Sequence, residues 1–112
     1  MLAADSPRPL SVVVPCYNEA STVGALLRRV AEVPVVREIV VVDDASSDGS
    51  REILRSLLAS WPASAPPLRV FLQPANRGKG AALREGFRHV EGPISVVQDA
   101  DLEYDPRELP RL

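Results

Sequence analysis

Apolar residues fall in four short runs along the chain, and the stretches between them carry apolar positions three and four apart. Residues 10–14, broken only by Ser11 and closed by Pro15, predict a strand buried on both faces. From Asn18, which can cap a helix, Val23, Leu26, Leu27, Val30 and Ala31 share one helical face up to Pro34. The pattern then repeats. Residues 38–42 (EIVVV) predict a second strand, residues 43–47 a polar turn, and Ile53, Leu54, Leu57, Leu58 and Trp61 a second amphipathic helix stopped by Pro62. Residues 63–67, rich in proline and small side chains, predict a surface loop before a third strand at residues 68–72. NRGKG at residues 76–80 opens a third helix in which Leu83, Gly86, Phe87 and Val90 share a face, and Gly92 and Pro93 end it. A fourth strand, residues 94–98, leads into Asp99.

Strand and helix in alternation predict βαβ units with right-handed crossovers. The expected architecture is an open, mainly parallel α/β sheet with helices on both faces, over residues 10–112 after a tail of residues 1–9. In such a sheet the carboxyl ends of the strands share one edge, where ligands bind beside the point at which strand order reverses. Tyr17, Asn18 and Glu19 follow the first strand, Asp43 and Asp44 the second, residues 76–79 the third and residues 99–103 the fourth. Four segments therefore bring polar side chains to one rim.

Composition narrows the function classes. With 112 residues, 46% hydrophobic and 25% charged, the chain suits one globular domain, and a formal charge of -2 offers no broad basic surface for nucleic acid. The single cysteine, Cys16, excludes an intrachain disulfide framework and a multi-cysteine zinc site. No apolar run is long enough to cross a bilayer, and the first ten residues carry Asp5 and two prolines where a signal peptide is apolar. A cytoplasmic protein is expected, with peripheral contact to a membrane as a further option.

Asp99-Ala100-Asp101 sets two carboxylates where a turn can aim both at one hard cation, and Glu103 continues the spacing. Magnesium or manganese takes such oxygen ligands and completes its shell with diphosphate oxygens. The same residues commonly cap turns; their place after a parallel strand favours the metal reading. Of Asp43 and Asp44, one can accept hydrogen bonds from a base or ribose while the other shapes the turn. Ser47 and Asp48 read as helix caps, with Gly49 relaxing the turn. Arg77 and Lys79, beside two glycines at a helix start, suit a diphosphate, and plain helix packing with a solvated Arg77 fits equally well. The spacing matches neither a dinucleotide fingerprint nor a P-loop. Tyr17 and Glu19 either stack on and bond a base or simply pack. His89 reads as a surface residue, and no Ser/His/Asp triad or Cys/His pair can be assembled at the rim.

Taken in order, SVVVPCYNE, EIVVVDDASSDGS, NRGKGAALREGF and SVVQDADLEYDP resemble family 2 of the glycosyltransferases, especially the dolichol-phosphate mannosyltransferase and polyprenyl-phosphate sugar transferase branch. The resemblance implies a GT-A fold, with Pro15, Tyr17, Asn18, Glu19, Asp43 and Asp44 around the base and ribose. It implies Asp99 and Asp101 as metal ligands, with Asp101 carrying the catalytic role and Glu103 standing where relatives often have glutamine. The implied reaction moves a sugar from a GDP- or UDP-sugar to an acceptor such as a polyprenyl phosphate, with magnesium or manganese assisting departure of the diphosphate. Family members continue well beyond the DxD pattern, so the expected fold is truncated, its acceptor site lies in missing sequence, and the fourth strand is an open edge able to pair with another chain. Two rivals are a sugar-phosphate nucleotidyltransferase, against which stands the absence of a glycine-rich, lysine-bearing loop after the first strand, and a nucleotide-sugar-binding remnant without turnover.

Overall fold

A computed structural model describes residues 7–101. Among the described residues four strands and three helices alternate: β1 (Leu10–Cys16), α1 (Val23–Ala31), β2 (Val36–Asp43), α2 (Ser50–Ser60), β3 (Leu68–Leu72), α3 (Lys79–Phe87) and β4 (Ile94–Val97). Every pairing is parallel and the order across the sheet is β3-β2-β1-β4. Strand order therefore reverses between β1 and β4.

Alternating side chains of β2 explain its unbroken apolar run. Ile39 and Val41 join Val12, Val14 and Cys16 in a core covered by Leu26, Leu27 and Val30 of α1 and by Leu54 and Leu57 of α2. Val40 and Val42 face the other way, toward Ala82 of α3, Phe71 and Val90. With both faces covered, a strand has no solvent side on which to place polar residues. Pro15 is tolerated inside central β1 because of where its missing N–H falls. The Val13 carbonyl accepts from Gln98 at 3.0 Å and the Cys16 carbonyl from Asp44 at 2.9 Å, so residue 15 faces the β4 side, beyond the last β4 pairing at Val97.

Three expectations need correction. Helix α1 starts at Val23, four residues after Glu19, and Asn18 does not cap it; Asn18 has φ 53 and reaches the β2–α2 loop instead. The buried residues of α3 are Ala82 and Gly86, while Phe87 is 42% exposed and Gly80 is also exposed. A Cβ on Gly86 would lie 2.5 Å from Cγ1 of Val13, so this helix sits too close to β1 for the larger residues to point inward. His89 is half-buried, stacked on Phe71 with ring centroids 3.8 Å apart and its Nε2 3.2 Å from Glu85 Oε1.

At the amino end of the sheet, buried Glu38 ties the layers together. Its carboxylate accepts from the Ser11 hydroxyl at 2.6 Å, from Arg69 at 2.6 Å, and from the backbone N–H groups of Glu91 and Gly92. Burial alone would push its pKa up, but these donors outweigh it and hold Glu38 below the usual value. Among the described residues β4 is an edge strand, with Ile94 and Val97 half exposed. No described helix is long and apolar enough to cross a membrane.

Candidate functional site

The rim at the carboxyl ends of the strands is built from backbone departures that a regular strand could not make. After β1 the chain turns at Asn18, and after β2 it turns at Ala45, whose φ of 61 is unusual for a residue with a Cβ. The two turns hold each other. The Asn18 N–H donates to Ser46 Oγ at 2.9 Å, the Ser47 N–H to Asn18 Oδ1 at 2.8 Å, the Glu19 N–H to Ser50 Oγ at 3.1 Å, and the Ala20 N–H to Asp48 Oδ2 at 3.1 Å. Asp48 also accepts from the N–H and hydroxyl of Ser50 through Oδ1, at 3.0 and 2.6 Å; the N-cap of α2 is Gly49 and not Ser47 or Asp48, but Asp48 holds the first residue of that helix while bridging to the neighbouring loop. The Ser50 hydroxyl is the first cause of its lowered pKa.

The paired acids of β2 part company. Asp43 is fully buried and accepts from Arg51 Nε at 2.8 Å and from the N–H and hydroxyl of Ser46 at 3.0 and 2.6 Å; it lies off the cavity and fixes the turn. Asp44 lines the cavity, and its two oxygens accept the N–H groups of Arg77 and Gly78 at 2.8 and 2.9 Å. Only glycine readily adopts the φ of 91 and ψ of 163 found at Gly78, which aims that N–H at Asp44 and starts α3 at Lys79. Lys79 Nζ in turn contacts Asp99 Oδ1 at 2.7 Å. The tip of β4 is fastened to the other side of the rim by the Thr22 hydroxyl, which donates to the Ala100 carbonyl at 2.6 Å.

These tethers enclose an open cavity of about 590 Å³ lined by Pro15, Cys16, Tyr17, Glu19, Asp44, Asn76, Gly78, Lys79, Asp99 and Asp101, with Ala82 and Ala100 at its apolar side. It lies where strand order reverses. Of the residues expected at the site, Pro15, Tyr17, Glu19, Asp44, Lys79, Asp99 and Asp101 thus share one wall. Asn18, Asp43 and Arg77 do not line it: Asn18 and Asp43 are engaged in the loop lock, and Arg77 contributes its backbone N–H to Asp44. Glu103 lies outside the described residues. Thr22 and Ser50 escaped the sequence reading, while Ser46 reads there only as part of a polar turn and Asp48 only as a helix cap; small polar side chains mark turns, but the cross-loop partners of these four lie 28 to 78 residues away.

Burial, with the Asp43 carboxylate adding to it, pushes the Cys16 thiol up to about 12, so a thiolate is disfavoured and Cys16 is a wall rather than a nucleophile. Among the described residues no three His, Cys, Asp or Glu side chains converge as an all-protein metal cage. Asp99 and Asp101 nevertheless both line the cavity, and a pair of carboxylates is a donor set suited to a hard cation that takes its remaining oxygens from a ligand and water.

Comparison with known proteins gives a consistent picture. The family model described as Glycosyl transferase family 2 matches residues 11–112. An undecaprenyl-phosphate 4-deoxy-4-formamido-L-arabinose transferase from Edwardsiella ictaluri is 41% identical over 109 residues, which cover 92% of this chain and 32% of that protein. Among solved structures, a mannosyltransferase from Pyrobaculum calidifontis in complex with GDP-Man and Mn2+ superposes with a TM-score of 0.79 at 34% identity, covering 93% of this chain and 30% of that one. Glucosyl-3-phosphoglycerate synthase from Mycobacterium tuberculosis, in complex with Mn2+, UDP and glucosyl-3-phosphoglycerate, gives 0.68 at 27% identity over 92% of this chain and 37% of that one. The chain spans about a third of the length of the curated relatives it matches.

Proposed function

The chain belongs to glycosyl transferase family 2 and has the GT-A fold, and from that premise we propose that its strand-tip cavity takes a nucleotide-diphosphate sugar together with a divalent cation. The charge of the cavity wall carries the reading. Among the described lining residues, Glu19, Asp44, Asp99 and Asp101 supply four carboxylates against one ammonium, that of Lys79. A diphosphate is repelled by such a wall unless a cation comes with it.

Asp99 and Asp101 would hold the cation, magnesium or manganese, with diphosphate oxygens and water completing its shell. When bound, the cation neutralises charge growing on the departing diphosphate. Tyr17 and Glu19, which line the cavity, would meet the base, and Asp44 keeps lone pairs beyond its two N–H contacts with which to accept from a ribose hydroxyl. The chain's own part in the reaction is alignment of the donor, since a well-placed pair of reactants needs little further help. Similarity to an undecaprenyl-phosphate sugar transferase supports a polyprenyl phosphate as acceptor. Such an acceptor is already ionised and needs little general-base assistance. It also puts the working protein against a membrane surface.

Calorimetry with UDP, GDP and their sugars, with and without manganese, tests the reading. Binding that requires the metal is expected, and absence of binding to any of them in the presence of manganese would end it. A hydrolysis assay on whichever sugar nucleotide binds then separates turnover from binding alone.

A further inference from the structure

The cavity already contains a cation of its own. Lys79 Nζ lies 2.7 Å from Asp99 Oδ1, on the carboxylate assigned above to the divalent ion. The backbone that carries this ammonium is held from behind. Asp44 holds the N–H of Gly78, Gly78 has a backbone conformation that residues with a Cβ avoid, and Lys79 is the first residue of α3. Asp99 is likewise set in place, by the Gln98 N–H on the Val13 carbonyl and by the Thr22 hydroxyl on Ala100. The contact is therefore made between side chains carried on two anchored stretches of backbone.

Resting on the proposed metal–nucleotide reading, we infer that Lys79 is the resident counter-ion of Asp99 and exchanges partners when the donor arrives, so that cation and diphosphate load together. A divalent ion alone must displace the ammonium from Asp99 and then stand close to it, like charge against like charge. A metal–diphosphate complex brings phosphate oxygens with which Lys79 can pair instead. The cavity thus resists bare cations and accepts the complex. The Lys79 side chain is 59% exposed and Asp99 32%, so the ammonium has room to leave Asp99 by a change of rotamer.

The test compares wild type with Lys79→Met and Lys79→Arg in the full 112-residue chain, titrating manganese chloride alone and then UDP and GDP at saturating manganese. An exposed ion pair is worth up to about fivefold in an equilibrium, so Lys79→Met should bind manganese alone up to about fivefold more tightly. The same variant should bind the nucleotide with manganese more weakly. Lys79→Arg, which keeps the charge, should resemble wild type in both titrations. If wild type binds manganese with nucleotide but Lys79→Met binds manganese alone no more tightly, the exchange is overturned while the functional reading stands. If wild type binds no nucleotide with manganese, that reading fails and takes the inference with it.

Discussion

The carboxylate of Asp48 accepts the backbone N–H of Ala20 at 3.1 Å, joining the loop after β1 to the start of the helix after β2. Its other oxygen serves Ser50 in its own loop. One side chain thus holds the first residue of a helix and, with it, the segment that carries Tyr17 and Glu19 to the cavity. The two duties can be separated. In Asp48→Asn the amide oxygen still accepts from Ser50, while an N–H2 group replaces the oxygen that Ala20 needs; Asp48→Ala removes both. Thermal melting should show Asp48→Asn nearer to wild type than Asp48→Ala. Both variants should lose nucleotide affinity to a similar degree, up to about tenfold, the worth of one hydrogen bond. Affinity that follows stability, and not the bridge, would reduce Asp48 to a cap.

Asp101 tests the metal assignment more directly. Asp101→Asn keeps the shape of the side chain and removes its charge, leaving Asp99 as the one described carboxylate of the pair. The expected outcome is nucleotide binding that no longer depends on manganese and is weaker than that of wild type in its presence. Calorimetry with and without manganese reads both effects. Unchanged metal dependence would take Asp101 out of the site.

Much of this was legible in the sequence, and the failures share a cause. The bounds of β3 were expected at residues 68–72 and are found there, because proline-rich sequence flanks a short apolar run. Strand β2 runs two residues earlier than its apolar pattern, since Val36 pairs with Leu10 while Arg37 remains exposed. Which apolar residues of α3 face the sheet was misjudged because periodicity records where hydrophobic residues fall, not how near the helix lies to the strand. Likewise an Asp–Gly pair ahead of a helix announces a cap, but nothing local announces that Ala20, 28 residues away, needs the second oxygen. The convergence of four strand tips followed from parallel topology alone.

Acid should unfold the protein through its hydrogen-bonded carboxylates. Glu38, Asp48 and Glu85 all sit below their ordinary values; in Glu85 the first cause is the hydrogen bond from His89. A carboxyl group whose folded pKa is depressed stabilises the fold above its unfolded value, and that contribution is lost as pH falls through the folded value. For Glu38 the loss therefore begins near the ordinary 4.5 and proceeds below it, with stability flat from this source at neutral pH. Glu38→Gln should lower stability at pH 7 by about 1–3 kcal/mol, since the N–H groups and Arg69 lose a charged acceptor. It should also flatten the dependence of melting temperature on pH below the ordinary value. A mutant curve parallel to wild type across that range would show that Glu38 does not titrate with unfolding.

Gly86 sets the distance between α3 and the sheet, and with it the placing of Lys79 at the opposite end of the same helix. A methyl group there would stand 2.5 Å from Val13 Cγ1 and 3.4 Å from Val42 Cγ2. Both valines are fully buried in a central pair of strands, so neither can withdraw without disturbing the sheet. Alanine is otherwise the better helix former, by about 1 kcal/mol, which opposes the effect. Overpacking of a tight core costs about 1–3 kcal/mol, and with no soft neighbour to absorb the contact the clash should prevail. Gly86→Ala is therefore expected to be less stable than wild type by denaturant titration, at an unchanged m-value. Because the helix must shift outward to admit the methyl group, the same variant should also weaken nucleotide binding, whereas Gly80→Ala, on the exposed side of α3, should leave stability equal to wild type or higher.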